Sequence, residues 1–248
     1  NTADWNHIAD VRIGLNAVSA ETRSVAEAVA SSLPVRCNVV EEWDSGRNVW
    51  KYPLMRRMFS QTILPLADRV MWFDDDSYIK ADKAWWAEVA GLSQQHVLVG
   101  SSYFLNGGFR PGQIEAIKAQ PWYTGKQIPA RPQFTTGGWW CLDKTVIEKW
   151  NYPFAVLKHN GGDSILGELC RQQGYSITNF NRGVAINADE HGRESKSKRR
   201  GDTTKWPWED GTNADLSHQH FDVRVRTFLN THPITKYAKP PKVIRVYE

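Results

Sequence analysis

The chain is poor in the features that would assign it to a simple class. Only three of its 248 residues are cysteine: Cys37, Cys141 and Cys170. They are odd in number, widely spaced and without metal-ligand spacing, so neither a disulfide framework nor a zinc module is encoded. That pattern points to a reducing compartment, and a cytoplasmic location is the expectation. No apolar run approaches a membrane span, and no signal-like segment opens the chain. The first residue is Asn1 rather than Met, so a leader or anchor ahead of it would not be seen. Repeats and clear linkers are also missing, and one domain over residues 1–248 is expected.

Charge of one sign is scarce except in one place. The net charge is +4. Between Arg193 and Lys205 lie six basic residues (Arg193, Lys196, Lys198, Arg199, Arg200, Lys205) against Glu194 and Asp202, a local +4 that equals the total. The rest of the chain balances, so the basic character belongs to one segment. That segment, within a polar stretch from Asp189 to Gly211, reads as a long loop. It could close over a donor's phosphates, hold a polyanionic acceptor such as DNA, or remain a solvated loop.

Apolar residues at 41% suit a globular core, and 12 tryptophans exceed what such a core needs. Some indoles are therefore expected in a groove, against flat ligands such as sugars or bases. Strand and helix patterns alternate. "DVRIGLNAV" is a strand, and "SAETRSVAEAVASSL" is a helix with Ser19 as N-cap. "VRCNVVEE" is a second strand, "YPLMRRMFSQTILPL" a helix, and "DRVMWFDDD" a third strand. Further on, "ADKAWWAEVAGLS" is helical, "HVLVGSSYF" is a strand, and "NGGFRPG" and "IPARPQF" are loops. "GGWWCLDKTVIEKW" leads from strand or turn into helix, "GGDSILGELCRQQG" is a helix stopped at Gly174, and "YSITNF" is a strand. The fold class is α/β with a mostly parallel central sheet flanked by helices. From about 222 to 248 the chain, with Pro240-Pro241, reads as an extended arm packed on the body.

"VMWFDDDSYI" carries the chemistry. Asp74 and Asp76 share a face of an extended backbone at a strand's carboxyl end, where such sheets place ligands. Two converging carboxylates call for a cation, and oxygen-only ligands suit Mg²⁺ or Mn²⁺ beside a diphosphate. Asp75, pointing the other way, could bond a ribose hydroxyl or backbone. The bland alternative is a solvated acidic turn.

Three blocks in order, "KYPLMRRMF…VMWFDDDSYI", "TTGGWWCLDKTVIEKW" and "GGDSILGELCRQQGYSITNF", resemble the GT-A class of nucleotide-sugar glycosyltransferases. Within it they are most similar to the fringe and β-1,3-galactosyltransferase-like group. The resemblance implies a GT-A-like, Rossmann-like fold and a DxD motif. It implies a UDP-sugar donor, and Asp74 and Asp76 holding Mn²⁺ (or Mg²⁺). It implies Asp163 as the base that deprotonates an acceptor hydroxyl, with inversion at the sugar. His191 would complete the metal site, with His218 and His220 as alternatives. Lys51, Arg47, Asn48, Asp75, Gly137 and Gly138 would contact the donor, and Trp139, Trp140 and Gly162 the acceptor. That class begins with a very hydrophobic base-gripping strand; here either "VRIGLN" plays that part or the strand precedes Asn1.

Several of these residues have plainer readings. Asp163 could simply stabilise a helix N-terminus. Lys51, Arg56 and Arg57 could form a solvated face, His191 could be an ordinary loop residue, and either tryptophan could be core. The acceptor is open between a glycan and a hydroxylated DNA base. A non-catalytic carbohydrate- or nucleic-acid-binding module on the same fold is the alternative function.

Overall fold

A computed structural model describes residues 3–16, 18–42, 55, 58, 67–75, 77–80, 84–93, 96–149, 162–185 and 243–247. A short 3-10 turn at Trp5–His7 precedes a βαβ unit: β1 (Asp10–Asn16), α1 (Ala20–Ser32) and β2 (Arg36–Glu42). The Ser19 hydroxyl accepts from the Thr22 N–H at 3.1 Å, capping α1 as its sequence implies. β1 and β2 pair in parallel, with Ile13 opposite Val39. Leu15, Ala30, Cys37 and Val39 form the core between this sheet and its helix.

β9 (Val243–Tyr247) adds antiparallel to the other edge of β2. Arg245 reaches Glu27 of α1 at 3.1 Å, and Tyr247 packs on the same core. The described part of the expected extended arm is thus a strand, held by backbone pairing as well as by its side chains.

A second sheet runs β3 (Arg69–Phe73), β6 (Gln133–Asp143), β5 (Val97–Phe104), β7 (Ser176–Asn179). Among the described residues, helices α2 (Ala84–Leu92), α3 (Pro111–Lys118), α4 (Lys144–Lys149) and α5 (Gly162–Gln172) accompany it, and helical Met55 packs into the same core. Period-two alternation along β6 builds the two sides of the core. Trp140 and Leu142 join Val70, Leu98, Val146, Ile147 and the α5 residues Ile165, Leu166 and Leu169. Trp139 and Cys141 join Val99 and the α2 residues Trp85, Trp86 and Val89. Val40 of β2 and Met58 form a small cluster against which Trp72 of β3 packs, so the two sheets meet there.

The architecture is mixed α/β, with parallel and antiparallel strands flanked by helices. The mostly parallel expectation is corrected among the described residues. β1–β2 and β5–β7 are parallel, whereas β2–β9, β3–β6, β5–β6 and β4–β8 (Tyr78–Ile79 with Val184–Ala185) are antiparallel. The physical reason is that β6 inserts between two strands that precede it in the chain. Strand–helix alternation carries no information about such an insertion, and mixed sheets are common.

α3 was not among the sequence-based elements, because "NGGFRPG" reads as loop. Pro111 occupies its first turn, where a missing N–H costs nothing. The Arg110 N–H donates to Gln113 Oε1 at 3.0 Å and closes the helix start. The stop of α5 is as expected: Gly174 adopts φ +80°, and the Tyr175 N–H reaches back to the Cys170 carbonyl at 2.8 Å.

Two buried polar ties hold the second sheet together. The Asp143 carboxylate takes the Arg69 guanidinium on one oxygen and the His96 N–H at 2.9 Å on the other, joining β3, β6 and the start of β5. Glu168, fully buried on α5, accepts from Arg171 at 2.6 and 2.8 Å and from Gln172 at 2.7 Å. Gln172 in turn holds Thr124 and the Lys126 carbonyl, which fixes the 120–126 connection to α5.

Candidate functional site

The acidic run begins where β3 leaves the sheet. Trp72 and Asp74 lie two residues apart on an extended backbone and so share a face. The Trp72 Nε1–H donates to Asp74 Oδ1 at 2.7 Å. The Asp74 N–H donates to the Gly138 carbonyl at 2.8 Å, and the Asp74 carbonyl accepts from Ser77 N–H at 3.0 Å in a turn. Asp74 is half-buried and Asp75 exposed. Asp76 lies outside the described residues, so its convergence with Asp74 rests on sequence spacing.

The glycine pair, Gly137 and Gly138, is brought beside Asp74 through the backbone bond from the Asp74 N–H to the Gly138 carbonyl. The two glycines occupy an irregularity in β6. Gly100 pairs with Trp140, whereas Ser102 pairs with Thr135, so β6 has extra residues between these two points. The β3 ladder shows no shift up to its last pair, Phe73 with Trp139. Bulges of this kind bend a strand and often lie next to functional sites. Here the extra residues of β6 lie at the level of Asp74, while Gly100 of β5 stays close to both Thr135 and Trp139.

The chain returns to the same place through β8. Tyr78 pairs with Ala185 and Ile79 with Val184, antiparallel. β8 therefore runs toward the acidic run as it ends. His191 follows six residues after Ala185, within reach of Asp74 for a chain of that length. His191 itself lies outside the described residues. So do Arg47, Asn48, Lys51, Arg56, Arg57, His218, His220 and the basic segment 193–205.

Asp163 sits in the first turn of α5, half-buried, with Gly162 buried before it. Its Oδ1 accepts from the Ser164 N–H at 3.0 Å. A carboxylate there also favours the positive end of the helix dipole. α5 lies close against β6 because Gly167 faces Gln133 and Phe134 with no side chain between them.

The expectation for Trp139 and Trp140 as acceptor contacts is corrected. Both indoles are fully buried, at 0% and 1% exposure, on opposite sides of β6. Trp140 stacks on Trp72, with centroids 6.3 Å apart, and Trp139 stacks on Phe73 at 6.1 Å. Both rings are core, because β6 is a central strand covered by helices on each side. The residue that sequence reasoning overlooked is Trp72. Its signal was an indole two positions before an aspartate, with the same strand-face spacing that linked Asp74 to Asp76.

The donor chemistry at the end of β3 suits a hard divalent cation, since Asp74 presents oxygen and its Oδ1 is oriented by a neutral N–H. Among the described residues, no three His, Cys, Asp or Glu side chains converge. The cysteines offer no alternative. All three are buried, and burial pushes each thiol above its ordinary range, to about 11 for Cys37, which keeps them neutral. Among the described residues, no helix is long and apolar enough to cross a membrane. Compared with known families and curated proteins, the chain matches no family model and no curated sequence.

Proposed function

We propose that the protein is a metal-dependent glycosyltransferase of GT-A type, moving a sugar from a UDP-linked donor to an acceptor hydroxyl. The observation that carries this reading is the 2.8 Å hydrogen bond from Asp74 N–H to the Gly138 carbonyl. It joins the acidic run to the glycine pair, two segments that the resemblance assigns to one donor site. Asp74 and Asp76 would hold Mn²⁺ or Mg²⁺, with His191 as the third protein ligand. A divalent cation bound there would neutralise the donor's diphosphate as it departs.

The chain's own groups account for the rest. Gly137 and Gly138 leave room for the donor sugar beside Asp74. Trp72 orients the Asp74 carboxylate. Asp163 takes the proton from the acceptor hydroxyl as that oxygen attacks the anomeric carbon, and the bond to the diphosphate breaks with inversion. The test is a donor screen with Mn²⁺, following release of nucleotide diphosphate with glycan and hydroxymethylated DNA acceptors. Asp163→Asn should abolish turnover while Mn²⁺ and donor still bind. If no donor binds in the presence of Mn²⁺, the reading fails.

A second reading is a non-catalytic binding module on the same fold. It is favoured by the Asp163 carboxylate being engaged in the first turn of its own helix. On that reading Asp163→Asn lowers stability and leaves ligand affinity unchanged, and no donor turns over.

A further inference from the structure

The burial of Trp139 and Trp140 leaves the transferase reading without an aromatic contact for its acceptor. Another aromatic pair lies at the same end of the sheet. Tyr103 of β5 stands directly opposite Phe134 of β6, so the two side chains share a face. Their ring centroids are 6.3 Å apart, with a tilt of 36°. Tyr103 is 52% exposed and Phe134 is half-buried. Phe104 follows Tyr103 on a paired strand and therefore points to the other face, where the Arg131 guanidinium lies 5.6 Å from its ring centroid. The Tyr103–Phe134 pair is thus a separate apolar surface, open to water.

Two contacts fix where this pair lies. The first joins α5 to β6 at Phe134 itself: a Cβ on Gly167 would lie 2.8 Å from Phe134 Cα and 2.9 Å from Phe134 Cβ. Asp163 precedes Gly167 by four residues, so it stands on the same face of α5, one turn or about 5.4 Å nearer the helix start. The second contact is the bond from the Asp74 N–H to the Gly138 carbonyl. β6 runs antiparallel to β3, so Phe134 lies beyond the carboxyl end of β3, four residues from Gly138. At strand rise, with the extra residues of β6 between them, that separation is on the order of 10 Å. The backbone of Phe134 is therefore within roughly 10 Å of Asp163 and of Asp74 alike.

This placement selects the occupant. The charged groups that these contacts bring near the pair are both carboxylates. A phosphate backbone would meet like charge there, whereas a neutral ligand would not. The C–H bonds on one face of a pyranose carry partial positive charge and suit the negative face of an aromatic ring. Its hydroxyls, at the rim of that ring, donate to carboxylates. A neutral sugar satisfies both halves of the surface.

We propose that Tyr103 and Phe134 form the acceptor subsite, stacking the apolar face of a neutral sugar ring and turning one of its hydroxyls toward Asp163. As an acceptor subsite this rests on the transferase reading above; as a sugar-binding surface it stands apart from it.

The experiment titrates the full chain with lactose, cellobiose and maltose, read by ligand-observed NMR, with Mn²⁺ and UDP present and again without them. Wild type should bind at least one of these sugars, with an affinity that changes little between low and high salt. Tyr103→Ala should weaken that binding roughly tenfold, the order of one well-placed ring contact. Tyr103→Phe keeps the ring and should stay near wild type. Phe104→Ala, on the opposite face, should also match wild type. Both positions are exposed, so melting temperatures should stay level, and Mn²⁺-dependent UDP binding should be unchanged. A wild type that binds none of the sugars, or equal binding by Tyr103→Ala and wild type, would overturn the subsite. So would a loss in Phe104→Ala as large as that in Tyr103→Ala. Hydroxymethylated DNA that displaces the sugar and is itself weakened by Tyr103→Ala would overturn the sugar assignment. Tyr103-dependent sugar binding without any UDP binding would leave the surface standing and remove the transferase reading instead.

Discussion

Replacing Gly167 with alanine sets helix propensity against packing. Alanine in a helix interior is favoured over glycine by about 1 kcal/mol, so local reasoning expects a more stable protein. The structure reverses the sign. A Cβ at 167 would overlap the Gln133 carbonyl oxygen and lie 2.8 Å from Phe134 Cα and 2.9 Å from Phe134 Cβ. Two of those atoms are backbone in a paired strand, so no rotamer change relieves the overlap. α5 must lift from β6, disturbing the packing of Ile165, Leu166 and Leu169 against Trp140. Overpacking of this kind costs about 1–3 kcal/mol or more. Net of the propensity gain, Gly167→Ala should destabilise by roughly 1–2 kcal/mol, lowering the melting temperature by roughly 2–8 °C. Gly91→Ala is the control. It lies near the end of α2 with nothing within 4 Å of the new Cβ, and should stabilise by up to about 1 kcal/mol. Circular-dichroism melts of both variants decide the matter. A Gly167→Ala protein as stable as wild type would refute the described contact between α5 and β6.

Other outcomes follow from the same geometry. Trp72→Phe removes the donor to Asp74 Oδ1 and should weaken Mn²⁺ binding about tenfold in a calorimetric titration; unchanged affinity would confine Trp72 to packing. Glu168→Gln breaks the paired Arg171 contact inside α5 and should cost roughly 2 kcal/mol in urea unfolding, with proteolysis of the 120–126 connection accelerated. Stability should fall on the alkaline side. Burial raises Cys37 to about 11 and Tyr175 to about 12, from ordinary values of 9.0 and 10.0. The unfolded chain therefore releases these protons first, so stability declines from about pH 9 to pH 12. Tyr175→Phe should flatten the upper part of that decline in melts taken across the range, and an unaltered profile would show that Tyr175 does not contribute.

The local elements were legible because each rests on a short-range rule. Ser19 caps α1 through its own side chain, Gly174 ends α5 by adopting positive φ, and alternation in "DVRIGLN" and "VRCNVVEE" marks two strands that pair in parallel. α3 escaped notice because Pro111-Gly112 looks like a break, although proline at a first turn is a helix start. Of the candidate site, Asp74 and the glycine pair could be named from the chain alone. Their adjacency could not, because it depends on β6 running back along β3.

The two tryptophans after the glycines show where that boundary falls. Sequence by itself determined that Trp139 and Trp140 point to opposite sides of a strand, since an extended backbone alternates its side chains. Only the tertiary structure decided that both sides are covered, by α2 on one and by α4 and α5 on the other, which turns apparent ligand contacts into core. The reverse holds for Tyr103 and Phe104, apolar residues of an ordinary-looking strand. They stand exposed, which nothing in their local pattern indicates. Alternation is a property of the backbone and can be read locally; burial depends on which other elements arrive, and that is fixed by contacts distant in the chain.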